Sequence, residues 1–211
     1  MKRNGEINKM NASSKPLRPN DKLTLVLPAK QHRAQVEEYK QKFLDANDTM
    51  HGMGSLLKAD SFDEWLQNCK DYSLGKNLLD GYVPATQYIA IRESDDELVG
   101  LIQIRHKLNP VLLEHGGHIG YSVAPDQRRK GYATQMLGLA LAEAKRMGIE
   151  KVLLDNYKAN VASGKVIKNN GGVLENEVMH GGQLKQRWWI TVIKGEKNHD
   201  STRPDDGTYA K

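Results

Sequence analysis

One stretch of the chain, residues 119–148, combines a short apolar segment, a basic loop and a strongly periodic helical pattern. The first part is apolar and ends at Pro125, as a short strand would. The last part repeats apolar residues at the helical period and stops at Gly148. A strand, a loop and an amphipathic helix in this order predict a layered fold, with the helix packed on a sheet. The apolar helix positions are Met136, Leu137, Ala140, Leu141, Ala144 and Met147.

The other apolar segments alternate between strand-like and helix-like patterns. Ser61 and Glu64 have the spacing of a helix capping box, so a helix is predicted over 61–72. Charged residues at 92–97 predict a hairpin turn between two strands. The resulting order, β-α-α-β-β-β-α-β-α-β-β, predicts an α/β (α+β) fold with a mixed sheet and helices on its faces. Further strands are predicted over 23–27, 87–91, 98–104, 118–123, 151–157 and 187–193, and further helices over 31–47 and 160–170.

The length of 211 residues fits one domain, which we expect over 22–194. Residues 1–21 and 195–211 are polar and lack core-forming residues, so a disordered arm and a polar tail are expected there. The sequence has neither a run of about 18 apolar residues nor the apolar core of a signal peptide. A cytoplasmic protein without membrane contact is therefore expected.

The single cysteine, Cys69, excludes a disulfide within the chain and a cysteine-rich zinc site. We interpret Cys69 as a small packed hydrophobe and predict no metal site.

The basic loop has the composition of an anion site. The first amides of a helix lack intrahelical acceptors and carry partial positive charge, so they suit a phosphate. Gly131 and Ala133 would let a diphosphate approach the backbone, with Arg128, Arg129 and Lys130 around it. The alternative is a solvated charged turn. The loop matches neither the P-loop nor the Gly-x-Gly-x-x-Gly dinucleotide pattern.

The six residues "RRKGYA", 128–133, resemble the acetyl-CoA signature of the GNAT superfamily of N-acetyltransferases, Arg/Gln-x-x-Gly-x-Gly/Ala. Residues 119–148 look like the fourth strand, pyrophosphate loop and following helix of that family, and 152–173 like its fifth strand and cofactor-side helix. The resemblance extends over 23–193 in element order. It is nearest to bacterial predicted acetyltransferases without an assigned substrate.

This resemblance implies a mostly antiparallel sheet whose fourth and fifth strands splay apart to bind acetyl-CoA. Backbone amides from 127 or 128 through 134 would hold the diphosphate, and the strand edge at 121–123 would pair with the pantetheine arm. Asn160 would bind the cofactor, with an ordinary helix N-cap as the alternative reading. The implied cofactor-binding residues are Tyr121, Ser122, Val123, Gln127, Arg128, Arg129, Lys130, Gly131, Tyr132, Ala133, Thr134, Asn160 and Ser163.

Acetyl transfer to an amine also needs a base, because a free alkyl amine has a pKa near ~10.4. His118 is the first candidate, since many family members place a base near this position; a packed or exposed strand-end histidine is the alternative. Glu114 and His115 are second choices. The family's usual thiolate-protonating tyrosine is replaced by Ile167, a loss that Tyr157, Ser163 or solvent could cover.

The acceptor is expected to be the amine of a small molecule or a peptide, bound by the first two helices and the loop over 47–56. We predict direct attack on acetyl-CoA in a ternary complex. A non-catalytic acyl-CoA sensor of the same fold is the alternative. RNA binding is disfavoured, because the aromatic share is only 6% and no stacking platform interleaves with the basic residues. A homodimer is a reasonable default.

Overall fold

The structure, a computed structural model, describes residues 21–192. The predicted N-terminal arm, apart from Asp21, and the predicted C-terminal tail lie outside the described residues. The helices are α1 Arg33–Asp45, α2 Phe62–Ser73, α3 Pro110–Glu114, α4 Tyr132–Arg146 and α5 Val161–Asn169. The strands are β1 Leu23–Val26, β2 Ala85–Arg92, β3 Glu97–Arg105, β4 Ile119–Val123, β5 Lys151–Tyr157, β6 Val173–His180 and β7 Gln183–Thr191.

The strands form two antiparallel sheets, in the orders β1-β2-β3-β4 and β5-β7-β6. Where the two sheets meet, the backbone N–H of His118 donates to the carbonyl of Leu153 at 2.7 Å. Beyond this point no backbone hydrogen bond joins β4 to β5 within residues 21–192. We call the resulting gap between the two strands the split. The predicted α/β fold with splayed fourth and fifth strands is thereby confirmed.

Helices cover both faces of the β1-β2-β3-β4 sheet. On one face, Tyr39 and Phe43 of α1 and Trp65 of α2 pack with Ile89 and Leu101. On the other face, buried residues of α4 and α5 pack with apolar residues of both sheets. We refer to the α1–α2 face and the α4–α5 face. The α4–α5 core continues from one sheet to the other, so it holds them together across the split.

Two local details differ from the sequence prediction. In α2, Ser61 Oγ accepts from the amide of Glu64 as expected, but Glu64 Oε2 accepts from the amide of Asp60 rather than of Ser61. The short helix α3 was not predicted. It begins where Asn109 Oδ1 accepts from the amide of Leu112, just before a proline at the first helical position.

Trp188 and Trp189 lie on opposite faces of β7, as alternation along a strand requires. Trp188 is buried in the α4–α5 core and donates to Asn156 Oδ1 at 2.7 Å. Trp189 lies edge-on to the ring of His118, with 6.5 Å between centroids. Within residues 21–192, no helix is long and apolar enough to cross a membrane.

Candidate active site

A bare stretch of backbone precedes α4. Gly131, the N-cap, has a φ of 83°, which favours glycine, and a Cβ placed there would meet no atom of residues 21–192 within 4 Å. Within residues 21–192, no acceptor contacts the N–H groups of Gly131, Tyr132 or Ala133, whereas the amide of Thr134 donates to the carbonyl of Gly131. Open space beside free amides at the start of a long helix fits a phosphate group. We call this stretch, residues 128–134, the cradle.

Two basic side chains of the cradle are bound to the protein itself. Arg128 Nε donates to the carbonyl of Val123 at 3.1 Å, and its Nη1 lies 2.6 Å from a carboxylate oxygen of Asp48. Lys130 Nζ donates to Gln127 Oε1 at 2.7 Å. Arg129 is exposed and has a φ of 62°, so it marks the sharp turn of the loop. The backbone, more than these side chains, is therefore free to contact an anion.

Gln127 and Tyr132 anchor the cradle to the β2–β3 hairpin. The side chain of Gln127 is buried, where its Oε1 accepts from Arg92 and its Nε2 donates to Glu97. The Tyr132 hydroxyl also accepts from Arg92 and donates to Asp21. Their side chains point into the protein, so only their backbone atoms remain for a bound ligand.

The edge of β4 that borders the split is open. Just before β4, the carbonyl of His118 accepts from the backbone amide of Arg105 at the end of β3, and just after β4, the backbone amide of Ala124 donates to the carbonyl of Val99. These two bonds show that even-numbered residues of β4 direct their peptide groups toward β3. Peptide groups alternate along a strand, so those of Tyr121 and Val123 face the split. Ser122 instead faces β3 with its backbone, and its hydroxyl donates to the carbonyl of His51 at 2.6 Å. The structure therefore separates Ser122 from its two predicted partners at the edge.

Across the split, Tyr121 meets the first turn of α5. Its hydroxyl lies 3.0 Å from Ser163 Oγ. Asn160 is the N-cap of α5, because its Oδ1 accepts from the amide of Ser163 at 3.0 Å. Asn160 and Ser163 thus lie at the edge of the split, opposite Tyr121.

The chain matches the family model described as acetyltransferase (GNAT) domain over residues 22–173. The protein belongs to the GNAT family of acetyltransferases. It is therefore an acyltransferase that uses acetyl-CoA, and the cradle and the open edge of β4 fit that donor. No curated protein sequence matches the chain.

Solved structures show the same fold at low sequence identity. RimL, a ribosomal L7/L12 alpha-N-protein acetyltransferase in complex with coenzyme A, is 18% identical; the match covers 83% of this chain and 97% of that chain, with a TM-score of 0.57. A GNAT-family acetyltransferase from Bacillus anthracis is 20% identical, with coverages of 82% and 96% and a TM-score of 0.55. A chimera of the spermidine N-acetyltransferase SpeG from Vibrio cholerae and hSSAT is 16% identical, with coverages of 81% and 96% and a TM-score of 0.54.

The imidazole ring of His118 is held by a hydrogen bond at one of its two nitrogens. Its Nδ1 accepts a hydrogen bond from the amide of Leu153 at 2.9 Å, so in the neutral ring the proton resides on Nε2. Burial and, to a smaller extent, the nearby Arg105 guanidinium together lower the pKa of His118 to about 4. The ring is neutral at pH 7, but its one lone pair is already occupied. His118 can accept a proton only if its hydrogen bond from the Leu153 amide breaks.

Of the other catalytic candidates, Glu114 and His115 lie together at the end of α3, apart from Tyr157. The Glu114 side chain is 72% exposed at the end of α3 and lies 3.4 Å from His115 Nε2. The ring of His115 contacts that of His180 in a tilted arrangement, with 3.8 Å between ring centroids. Tyr157 ends β5 on the α1–α2 face, where Lys185 Nζ lies 5.0 Å from its ring centroid. Of these, only Tyr157 belongs to a strand that borders the split.

Sequence reasoning missed a buried ion pair beside the split. Lys185 Nζ lies 2.6 Å from Asp155 Oδ2, and that oxygen also accepts from the amide of Gly116 at 2.9 Å. Arg105 donates to the carbonyls of Gly116 and Gly117 from the same side. The signal in the sequence was an aspartate inside an apolar strand, which burial makes costly unless it is paired.

The loop over 47–56 lies against β4 on the α1–α2 face. A Cβ on Gly52 would lie 2.1 Å from the carbonyl oxygen of Gly120, so the backbones are in direct contact. Gln87 Nε2 holds the loop by donating to the carbonyl of Gly52 at 2.8 Å. Burial lowers the pKa of His51, as does the charge of Lys185. The loop therefore forms a wall next to the split, where an acceptor was predicted to bind.

Proposed function

We propose that the protein is an N-acetyltransferase that moves the acetyl group from acetyl-CoA to a primary amine by direct attack in a ternary complex. The observation that carries this proposal is that the open edge of β4 lies between the cradle, which suits the donor, and the loop over 47–56, which suits an acceptor. The cradle lies beyond one end of that edge, and the loop over 47–56 lies against the α1–α2 face of the same strand. Donor and acceptor can therefore occupy the split together, and no covalent enzyme intermediate is needed.

In this proposal the cradle amides bind the diphosphate of acetyl-CoA, and the peptide groups of Tyr121 and Val123 pair with its pantetheine arm. Because Arg128 now donates to the carbonyl of Val123, pairing at that carbonyl requires the guanidinium to share or release it. Arg128 would then be free to turn toward the diphosphate. Asn160, at the edge of the split, can reach the arm only with the side-chain nitrogen, since its oxygen caps α5.

The acceptor class is inferred from chemistry and from the neighbouring structures. RimL is named for acetylating the α-amino group of a ribosomal protein, and the Vibrio cholerae protein is named for spermidine. Both names describe amine acceptors, one on a peptide and one on a small molecule. We propose that the acceptor of this protein is also an amine, either on a peptide or on a small molecule.

The predicted base, His118, is not carried into this proposal. Deprotonating an alkyl ammonium at pH 7 costs on the order of 4 to 5 kcal/mol, so the step needs an acceptor for that proton. His118 lies at the closed end of the split, but its lone pair is bound by the Leu153 amide. Glu114 is exposed on α3 and pairs with His115. The assignment of the base stays a prediction for mutagenesis.

The proposal is tested by a CoA-release screen over peptide N-termini, polyamines and other small amines, with mass detection of the acetylated product. We expect CoA release that depends on at least one amine and a product heavier by one acetyl group. Release of CoA without an acetylated amine would reject the proposed transfer.

We also propose a cytoplasmic homodimer. β6 lies at the outer edge of its sheet, and Val173 and Met179 on it are 70% and 64% exposed. An unpaired edge with exposed apolar side chains favours association. We expect sedimentation of the purified chain to give the mass of two chains, and the mass of one chain would reject the dimer.

A further inference from the structure

We infer that Tyr121 donates the proton that the departing CoA thiolate takes up, and that Ser163 returns a proton to Tyr121 from solvent. This inference rests on the proposed function, because it concerns the leaving group of the same transfer. It gives Tyr121 a role for its side chain in addition to the role predicted for its backbone.

The position of the hydroxyl pair supports this role. Tyr121 lies on the strand edge that faces the split, two residues farther from the cradle than Val123. Its side chain turns to the α4–α5 face, where its hydroxyl meets Ser163 Oγ at 3.0 Å. The pair therefore connects β4 with the start of α5, directly across the gap in which the pantetheine arm is proposed to lie.

Other hydroxyls near the split have different partners or positions. The Ser122 hydroxyl donates to the carbonyl of His51, and the Tyr39 hydroxyl donates to the carbonyl of Ser122. Tyr157 lies on the opposite, α1–α2 face of its sheet. On α5, Ile167 is fully buried and carries no polar atom. Among residues 21–192, the Tyr121–Ser163 pair is the hydroxyl pair that spans the split.

The protonation state of Tyr121 suits a donor. Burial raises its pKa, while the hydrogen bond with Ser163 lowers it. Burial dominates, so the phenol keeps its proton at neutral and mildly basic pH. Ser163 is partly exposed, which gives the pair a connection to water.

The amine nitrogen forms a bond to the acetyl carbon, the carbon–sulfur bond breaks, and its electron pair stays on sulfur. The amine proton leaves to solvent. The sulfur takes the phenolic proton of Tyr121, which recovers a proton through the hydroxyl of Ser163. The products are the amide and the CoA thiol, with Tyr121 and Ser163 unchanged.

The decisive experiment measures binding of CoA and of desulfo-CoA by calorimetry between pH 7 and pH 9.5. Thiols ionise near pH ~8.5, and a hydrogen bond from Tyr121 would stabilise the bound thiolate. We expect CoA affinity, relative to desulfo-CoA, to rise about tenfold across this range in the wild-type protein. The rise should disappear in Tyr121→Phe. Tyr88→Phe is the matched control, because this buried tyrosine of the same face has its hydroxyl near Glu143, away from the split.

Kinetics with a reactive amine give the second measurement. We expect Tyr121→Phe to lower kcat about 100-fold with KM for acetyl-CoA within about threefold, and Ser163→Ala to lower kcat about tenfold. The inference is overturned if Tyr121→Phe keeps the pH-dependent gain in CoA affinity. It is also overturned if Tyr121→Phe weakens the binding of CoA and of desulfo-CoA by the same factor relative to the wild-type protein at every pH. That result would assign Tyr121 to binding of the arm. The calorimetry needs no acceptor, so it can support or reject the inference even if no amine is acetylated.

Discussion

His118 and Leu153 exchange two hydrogen bonds where the two sheets meet. The amide of His118 donates to the carbonyl of Leu153, and the amide of Leu153 donates to the imidazole Nδ1 of His118. The imidazole of His118 thus accepts the hydrogen bond that a backbone carbonyl would accept in a regular strand pair. Beyond it the strands separate, so this histidine fixes the place where the split begins.

This relationship predicts that acid destabilises the protein through His118. The pKa is about 4 in the folded protein and 6.5 in the reference state, so between these values the unfolded chain binds a proton that the folded protein does not. Stability from this group is complete above pH 6.5 and is lost as the pH falls toward 4, by up to about 3 kcal/mol. Urea unfolding at pH 7 and pH 4.5, followed by circular dichroism, measures the change.

His118→Asn is the comparison for that measurement. The asparagine oxygen can accept from the Leu153 amide and does not titrate. We expect the variant to lose about 2 to 3 kcal/mol less than the wild-type protein between the two pH values. His32, His51 and His106, whose pKa values burial also lowers, are present in both proteins. An equal loss in both would show that His118 is not the titrating group.

The same variant separates a structural His118 from a catalytic one. The occupied lone pair leads us to expect that His118→Asn keeps turnover within about threefold, whereas loss of a general base would cost at least about 100-fold. His118→Ala, which removes the partner of the Leu153 amide, should lower turnover and stability together. Steady-state kinetics of both variants with one reactive amine decide between the roles. A 100-fold fall in His118→Asn with unchanged acetyl-CoA affinity would support the base.

The sequence predicted the features that depend on neighbouring residues. The period over 132–147 and the preceding strand were enough to place α4 on a sheet, and Gly131 at its start was correctly expected to leave the backbone bare. The sheet split followed from family resemblance rather than from the pattern. These features are local, or they recur with the fold.

The directions of long side chains could not be predicted in this way. Arg128 was expected to face a diphosphate, but in the structure its guanidinium binds Asp48, eighty positions earlier in the chain. His118 depends on an amide 35 residues later, and Asp155 on a lysine 30 residues later. Such contacts are set by how the elements pack, which no local pattern records.

Removing one partner of the Asp155–Lys185 pair should be costly. Both side chains are nearly buried, at 12% and 11% exposure, so Lys185→Met leaves a carboxylate with little access to water. We expect a loss of about 3 kcal/mol in the free energy of unfolding. The measurement is urea unfolding at pH 7.

The double variant Lys185→Met/Asp155→Asn provides the test of cause. A neutral amide can still accept from the amide of Gly116, which contacts Asp155 Oδ2 at 2.9 Å. We expect the double variant to be more stable than Lys185→Met alone by at least about 1 kcal/mol. If the two losses simply add, the cost does not come from an unpaired buried charge.

Gly131→Glu should abolish acetyl-CoA binding while the protein stays folded. Among the residues that the structure describes, a Cβ at this position meets nothing within 4 Å, so the new side chain has room, but it brings a negative charge to the amides proposed for the diphosphate. The φ of 83° adds about 1 to 2 kcal/mol of backbone strain.

Gly148→Glu is the matched control: its φ is 82°, its Cβ position is equally open, and it lies beyond the other end of α4. Both variants should lose similar stability in thermal unfolding, so that only the position relative to the cradle differs. Calorimetry should then show binding in Gly148→Glu and none in Gly131→Glu; equal affinities would place the diphosphate elsewhere.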